Sequence, residues 1–265
     1  MSRIRSAFEK LGKNGQKALI PFITAGDPDP VLTVGLMHGL VAGGADIIEL
    51  GVPFTDPMSD GPVIQHASER ALKYGVSLKQ VLGMVAEFRE KDTETPIVLM
   101  GYLNPFEAMG YEKFAVEAKA AGVDGVLTVD CPPEEADQLL DSFTNAGIDP
   151  IFLIAPTTTS ERIAKIASVA SGYVYYVSLK GVTGATHLDF SEIEDRVNEI
   201  RKQVDLPICI GFGIRDESTA KSASRIADGV VIGSRIVQEI EQSDCQSAVK
   251  NVTAFVTSMR RAIDG

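Results

Sequence analysis

Cysteine is scarce in this chain: 265 residues hold three, Cys131, Cys209 and Cys245. An odd, unclustered set supplies neither a disulfide framework nor a zinc site, and it suits a reducing cytoplasm. Histidine is equally sparse. His38, His66 and His187 have no companion at metal-ligand spacing, so no metal site is expected. No run of about 18 apolar residues occurs, which argues against a spanning helix. Basic residues are outnumbered, 25 Lys and Arg against 36 Asp and Glu, for a formal charge of −11. That balance argues against a nucleic-acid or anionic-membrane surface. It leaves room for a phosphorylated small molecule, because backbone amides and helix N-termini can hold a phosphate locally. Linkers, low-complexity tracts, Walker sequences and Ser-His-Asp or Cys-His patterns are all missing. The opening residues, 1–10, are too mixed in charge for a secretory signal. They form instead a short amphipathic pattern with Ile4, Phe8 and Leu11 on one face.

What is present is an alternation of short apolar runs and helical patterns. The composition is 45% hydrophobic and 23% charged, ordinary for a globular chain. Strands are predicted at 19–24, 46–50, 97–101, 125–129, 151–154, 173–177, 207–211 and 229–232. Helices are predicted at 31–42, 62–73, 78–89, 112–121, 133–146, 161–167, 192–203, 217–224 and 236–263. Several helical patterns run into glycine before the next strand, as in Ala42-Gly43-Gly44, Ala121-Gly122 and Ala146-Gly147. Such a glycine takes the left-handed conformation that ends a helix. Eight βα repeats in about 250 residues predict one closed (β/α)8 barrel spanning 1–265, preceded by the extra N-terminal helix. An open doubly wound sheet is the rival. It calls for fewer strands and a glycine fingerprint after the first, and Thr24-Ala25-Gly26-Asp27-Pro28 is not one.

In such a barrel, functional groups collect where strands end at their C-terminal side. Glu49 closes the second predicted strand, and Asp56 and Asp60 follow in a Pro/Gly-rich loop before Pro62. A carboxylate within an apolar strand is costly unless paired or used. Glu49 is therefore a candidate general acid/base, or else a core acid satisfied by a neighbouring lysine or amide. Asp60 is a second candidate, with a helix cap as its plainer alternative. Asp56-Pro57 has ordinary turn chemistry as its alternative. Glycines follow the last three strands: Gly181-Val182-Thr183-Gly184, Gly211-Phe212-Gly213, and Gly233-Ser234. Glycine allows close backbone approach, and Ser234 opens a helix, so these elements point to a phosphate. Tyr173 and Tyr175 share one strand face, where core packing is the default and a hydrogen-bond donor or a ligand wall the alternative.

The run Glu49-Leu50-Gly51-Val52-Pro53-Phe54-Thr55-Asp56-Pro57-Met58-Ser59-Asp60-Gly61-Pro62 closely resembles the signature of the tryptophan synthase alpha chain family. Pro21-Phe22-Ile23-Thr24-Ala25-Gly26-Asp27-Pro28, Gly181-Val182-Thr183-Gly184 and Gly211-Phe212-Gly213-Ile214 extend the likeness over essentially the whole chain. Departures are mild: Thr55 stands where serine is common, Met58-Ser59 varies a hydrophobic-small pair, and Lys180 is a less certain match. The resemblance implies a (β/α)8 barrel that cleaves indole-3-glycerol phosphate to indole and glyceraldehyde 3-phosphate. It implies Glu49 and Asp60 as the catalytic acids. It also implies phosphate contacts at Gly184, Gly213, Gly233 and Ser234, and indole neighbours at Phe22, Tyr102, Leu127 and Tyr175. Thr183 is a candidate to hydrogen-bond Asp60 when the loops close, a contact that the sequence permits. No cofactor is implied in this chain. Pyridoxal phosphate is expected in a partner beta chain, within an alpha2beta2 heterotetramer in the cytoplasm, and the segments around 53–58, 104–106 and 131–133 are candidates to face it.

The chemistry needs two acids in different states. A retro-aldol step protonates the indole ring at C3 and removes a hydroxyl proton as the carbon–carbon bond breaks, work for one shuttling carboxyl group, Glu49. A fixed carboxylate beside the ring N–H, Asp60, stabilises the charge that develops there. The expectation is a raised pKa at Glu49 and an ionised Asp60. Three alternatives remain open: another phosphosugar barrel enzyme, a stand-alone indole-releasing lyase, and a barrel kept only as an allosteric binding subunit.

Overall fold

Alternate residues of eight short strands turn inward and the others turn out against helices, so each strand is apolar on both faces. The structure, a computed structural model, describes residues 2–177, 190–211 and 213–265. The strands are β1 (Ala18–Thr24), β2 (Ile48–Gly51), β3 (Ile97–Gly101), β4 (Gly125–Thr128), β5 (Asp149–Ile154), β6 (Val174–Val177), β7 (Ile208–Gly211) and β8 (Gly229–Ile232). They pair in sequence order, all parallel, and β8 closes on β1. This is the predicted (β/α)8 barrel, with a stagger visible at β1. That strand pairs with β8 over Ala18–Pro21 and with β2 over Phe22–Thr24. Pro21, which has no N–H to give a ladder, sits at the handover.

The helices are α1 (Arg3–Lys13), α2 (Thr33–Ala42), α3 (Pro62–Lys73), α4 (Leu78–Arg89), α5 (Leu103–Met109), α6 (Tyr111–Ala121), α7 (Asp137–Ala146), α8 (Ser160–Val169), α9 (Phe190–Arg201), α10 (Glu217–Ile226), α11 (Ser234–Glu241) and α12 (Ala248–Asp264). The amphipathic face expected at the N-terminus is used by α1. Ile4 and Leu11 are buried with the barrel interior, and Phe8 packs against it. Four helix predictions need correction. The segment 236–263 is two helices, broken where Asp244 Oδ1 accepts from the Gln246 and Ser247 amides at 3.0 and 2.8 Å. The segment 31–42 begins as a 3-10 turn, Pro30–Leu32, capped by Asp29. Helix α7 starts at Asp137, because Pro132 and Pro133 open a turn closed by Glu135 N–H on Pro132 C=O. Helix α5, within a predicted loop, is seeded by Asp130, whose carboxylate accepts from the Leu103 amide at 2.7 Å.

Below β3 and β4 an ion network holds the N-terminal side of the barrel together. Asp124, only 3% exposed, accepts from Arg3 and Arg89 at 2.8 Å each and from the Ile97 amide at 2.9 Å. Removing it leaves the largely buried Arg89 with only the more distant Asp92 carboxylate, at 3.9 Å. Asp124→Ala is expected to cost about 3–5 kcal/mol. A lower midpoint in urea at unchanged slope is the result that confirms this.

Candidate active site

Glu49 lies inside the barrel on β2, in register with Phe22 of β1 and Val98 of β3. It is fully buried. Tyr173 Oη donates to its Oε1 at 2.5 Å, while Oε2 has no hydrogen-bond partner among the described residues. Among the described residues neither a lysine nor a backbone amide satisfies this carboxyl, so the core-acid alternative finds no support in them. Burial pushes the Glu49 pKa up to about 7, against the opposing pull of the Tyr173 hydrogen bond.

Asp60 ends the loop between β2 and α3. The helix-cap alternative does not hold: Gly61 is the N-cap of α3, which has no side-chain cap. The Asp60 carboxylate instead accepts from Tyr102 Oη at 3.1 Å, and that hydroxyl accepts from the Ser59 amide at 3.0 Å. Phe54 stacks on the Tyr102 ring with centroids 5.2 Å apart. From α3, Gln65 Nε2 donates to the Asp60 carbonyl at 2.8 Å. The loop is thus pinned on both sides of its acid. One expectation is corrected: burial raises Asp60 too, to about 6, with the Tyr102 bond opposing. The two acids remain ordered, Glu49 above Asp60, and at pH 7 Asp60 is mainly ionised.

A cavity of about 500 Å³ opens at the C-terminal ends of the strands. Asp60 and Gly61 stand on one side of it, and Gly213, Gly233 and Ser234 on the other. Met100, Val129, Leu153, Tyr175, Val177 and Val231 supply apolar wall between them. A smaller hollow beside it holds Phe22 and Tyr102, and shares Asp60, Met100 and Val129 with the main cavity. Two glycines make room for aromatic rings at this mouth. A Cβ on Gly51 would come within 2.6 Å of Phe22 Cζ, and one on Gly211 within 2.6 Å of Tyr175 Cε2. Gly213 has φ +70°, and Ser234 is the first residue of α11, where N–H groups lack helical acceptors.

The expected residues are therefore distributed in depth. Asp60, Tyr175, Gly213, Gly233 and Ser234 line the cavity, with Phe22 and Tyr102 in the adjoining hollow. Glu49 and Leu127 are buried and belong to neither lining; Leu127 packs in the interior between Met100 and Ile151. Thr183, Gly184, Lys180 and His187 lie outside the described residues. Tyr173 was expected as core by default, with a hydrogen bond or a ligand wall as the alternative; that its hydroxyl meets Glu49 was not foreseen. Its alternation with Tyr175 marked it as inward-facing, but not what it met. Gln65, Met100, Arg215 and Arg235 were missed as well. Among the described residues, no group of three or more His, Cys, Asp and Glu gathers to hold a metal, and no helix is long and apolar enough to cross a membrane.

A closed parallel barrel with a cavity at the C-terminal ends of its strands, lined by Asp60 and by glycines and a helix start at β7 and β8, is the architecture of a (β/α)8-barrel enzyme. The model of the family "Tryptophan synthase alpha chain" matches residues 8–264. The chain is 62% identical over 263 residues to the tryptophan synthase alpha chain of Chromobacterium violaceum, covering 99% of this chain and 100% of that one. It is 60% identical to that of Paraburkholderia phytofirmans, covering 100% and 98%. The crystal structure of tryptophan synthase subunit alpha from Legionella pneumophila superposes with a TM-score of 0.93 at 46% identity, over 100% of this chain and 99% of that one. The chain belongs to the tryptophan synthase alpha chain family. As such it is a lyase subunit that cleaves indole-3-glycerol phosphate to indole and glyceraldehyde 3-phosphate in tryptophan biosynthesis, and membership implies a beta-chain partner.

Proposed function

We propose that Glu49 is the proton shuttle of this cleavage and Asp60 its fixed counter-charge. The observation that carries this is the buried carboxyl of Glu49, raised to about 7, held by one hydroxyl and with its second oxygen unpartnered among the described residues. A group half-protonated near neutrality can both give and take a proton, and each transfer contributes about 10²–10⁴-fold. Glu49 protonates C3 of the indole ring, then accepts the proton of the side-chain hydroxyl as the carbon–carbon bond breaks. Indole and glyceraldehyde 3-phosphate leave with protons balanced. Asp60, anchored by Tyr102, accepts a hydrogen bond from the ring N–H and stabilises its developing positive charge.

In this scheme the phosphate sits against Gly213, Gly233 and Ser234, with Gly184 completing its contacts, and the indole lies among Phe22, Tyr102, Leu127 and Tyr175. A cavity of about 500 Å³ is of the size that small ligands use. Phosphate binding far from the reacting carbon orients the indole end. Closure over it, with Thr183 reaching Asp60, excludes water. The whole chain acts as one domain. It needs no cofactor of its own, and hands indole to a beta chain that holds pyridoxal phosphate, in a cytoplasmic alpha2beta2 assembly. Met58, 80% exposed in the Asp60 loop, is one residue suited to that contact.

Indole release by the purified chain, with and without a tryptophan synthase beta chain, tests the assembly. Weak activity that rises on adding the partner supports it; full activity of the chain alone points to a stand-alone lyase. Tyr173→Phe tests the shuttle. The lost hydrogen bond had favoured the Glu49 carboxylate, so the pH limb that belongs to Glu49 moves upward from about 7. A limb that stays in place excludes Glu49 as its source.

A further inference from the structure

Two helices carry the two ends of the cavity. Helix α3 starts at Pro62, directly after Asp60 and Gly61, and α11 starts at Ser234, directly after Gly233. Both pack on Phe22 of β1. Ala67 of α3 and Val237 of α11 are fully buried in a small cluster with Phe22, and Val63, Ile64 and Met100 pack against it. Phe22 also reaches the start of α11: a Cβ on Gly233 would stand 3.6 Å from its Cδ1. A hydrophobic contact is non-directional, so it joins the helices without fixing how far one is shifted along the other.

About one turn further from the site, the same two helices are joined by charge. Arg70 follows Ala67 by one turn of α3, and Glu241 follows Val237 by one turn of α11, so each lies on the face already in contact. Arg70 Nη1 donates to Glu241 Oε1 at 2.6 Å. The other edge of the guanidinium grips Asp27, in the loop after β1: Nε donates to Oδ1 at 2.6 Å and Nη2 to Oδ2 at 3.1 Å. Asp27 is 1% exposed, and neutralising its buried carboxylate accounts for that edge. It does not account for the reach of Nη1 to a second helix. A planar guanidinium holding three oxygens in fixed directions ties β1, α3 and α11 at one offset. At 1.5 Å of rise per residue, this tie stands about 10–12 Å along each helix from its start at the cavity. Arg70 lines neither the cavity nor the hollow beside it.

We propose that Arg70 is a positioning residue: by gripping Asp27 and Glu241 it sets the distance between the Asp60 end of the site and the Ser234 end, and so favours a ligand that reaches both. The proposal rests on the assignment above of indole to the first end and phosphate to the second. Spacing is felt only by a molecule that engages both ends at once, because geometry sets the effective concentration at which its second contact forms. Indole or glycerol 3-phosphate alone meets one end and is indifferent to the distance. Misplacing reacting groups by about 1 Å costs up to about 10²-fold in rate.

The test compares three inhibitors of indole-3-glycerol phosphate cleavage in the full chain: indole, glycerol 3-phosphate, and the spanning analogue indole-3-propanol phosphate, which lacks the two side-chain hydroxyls. Arg70→Lys keeps the charge but cannot hold Asp27 with a fork and Glu241 at the same time. In it, the inhibition constant of the spanning analogue is expected to rise about tenfold and kcat/KM to fall about as much, with both fragments within about twofold of wild type. Glu241→Ala leaves the Arg70–Asp27 pair whole and replaces a half-exposed side chain, so it keeps the fold; it should shift the same two quantities about threefold. If the spanning analogue and kcat/KM stay within about twofold of wild type in both variants, the role of Arg70 is overturned. It is overturned equally if the fragments weaken as much as the spanning analogue, since the network then supports the fold at large and not the spacing. If glycerol 3-phosphate fails to compete with substrate in wild type, the phosphate assignment falls and takes the spacing role with it.

Discussion

Glu49→Gln is expected to lower kcat for indole-3-glycerol phosphate cleavage about 10³- to 10⁴-fold while leaving KM nearly unchanged. Glutamine has the same shape, and its carbonyl can still accept from Tyr173, so the barrel interior keeps its packing; only the exchangeable proton is gone. The same substitution gives a second, independent readout. Burial raises the Glu49 pKa from an ordinary 4.5 to about 7, so the folded state holds a proton that the unfolded chain releases. The stability that this protonation confers is complete below about pH 4.5 and is lost as pH rises through about 7. Above that, wild type carries a buried carboxylate at a cost of about 3 kcal/mol, and glutamine does not. Glu49→Gln should therefore melt at a higher temperature than wild type at pH 8 and show no such advantage at pH 4. Near-normal turnover sinks the shuttle; equal melting at pH 8 sinks the buried, raised carboxyl.

The second large effect is at Asp60. Asp60→Asn keeps a hydrogen-bond acceptor for Tyr102 but removes the negative charge beside the ring N–H, and kcat is expected to fall about 10²- to 10³-fold. Because burial places Asp60 at about 6, the charge it supplies in wild type fades below that pH. The acid limb of the kcat profile near pH 6 should therefore flatten in Asp60→Asn, while the limb near 7 persists. A variant that keeps the lower limb assigns it to another group. The two substitutions are not expected to add. Both act on one proton-transfer transition state, so the double variant should lose less than the product of the single losses.

Much of the barrel was legible because its local signals agree. Every predicted strand is matched within a few residues, since a strand covered on both faces must be apolar throughout, and glycine stops such as Gly122 and Gly147, both left-handed, separate helix from strand. The helix errors fell where side chains cap the backbone. Asp244, which breaks 236–263, and Asp130, which starts α5, act through one or two side-chain hydrogen bonds to the backbone that leave the hydrophobic period unchanged.

The sequence alone determined the order of eight strands, the carboxyl within the second, the acidic loop after it and the glycines after the last ones, because each is a property of neighbouring residues. The tertiary structure decided what those groups meet. Tyr173 reaches Glu49 across 124 residues of chain, and Tyr102 reaches Asp60 across 42. Only barrel closure puts Arg215 and Ser234 opposite Asp60 around one cavity. It also decided that Asp60 as well as Glu49 would be raised, because desolvation depends on everything packed around a carboxyl group and is not written in the residues beside it.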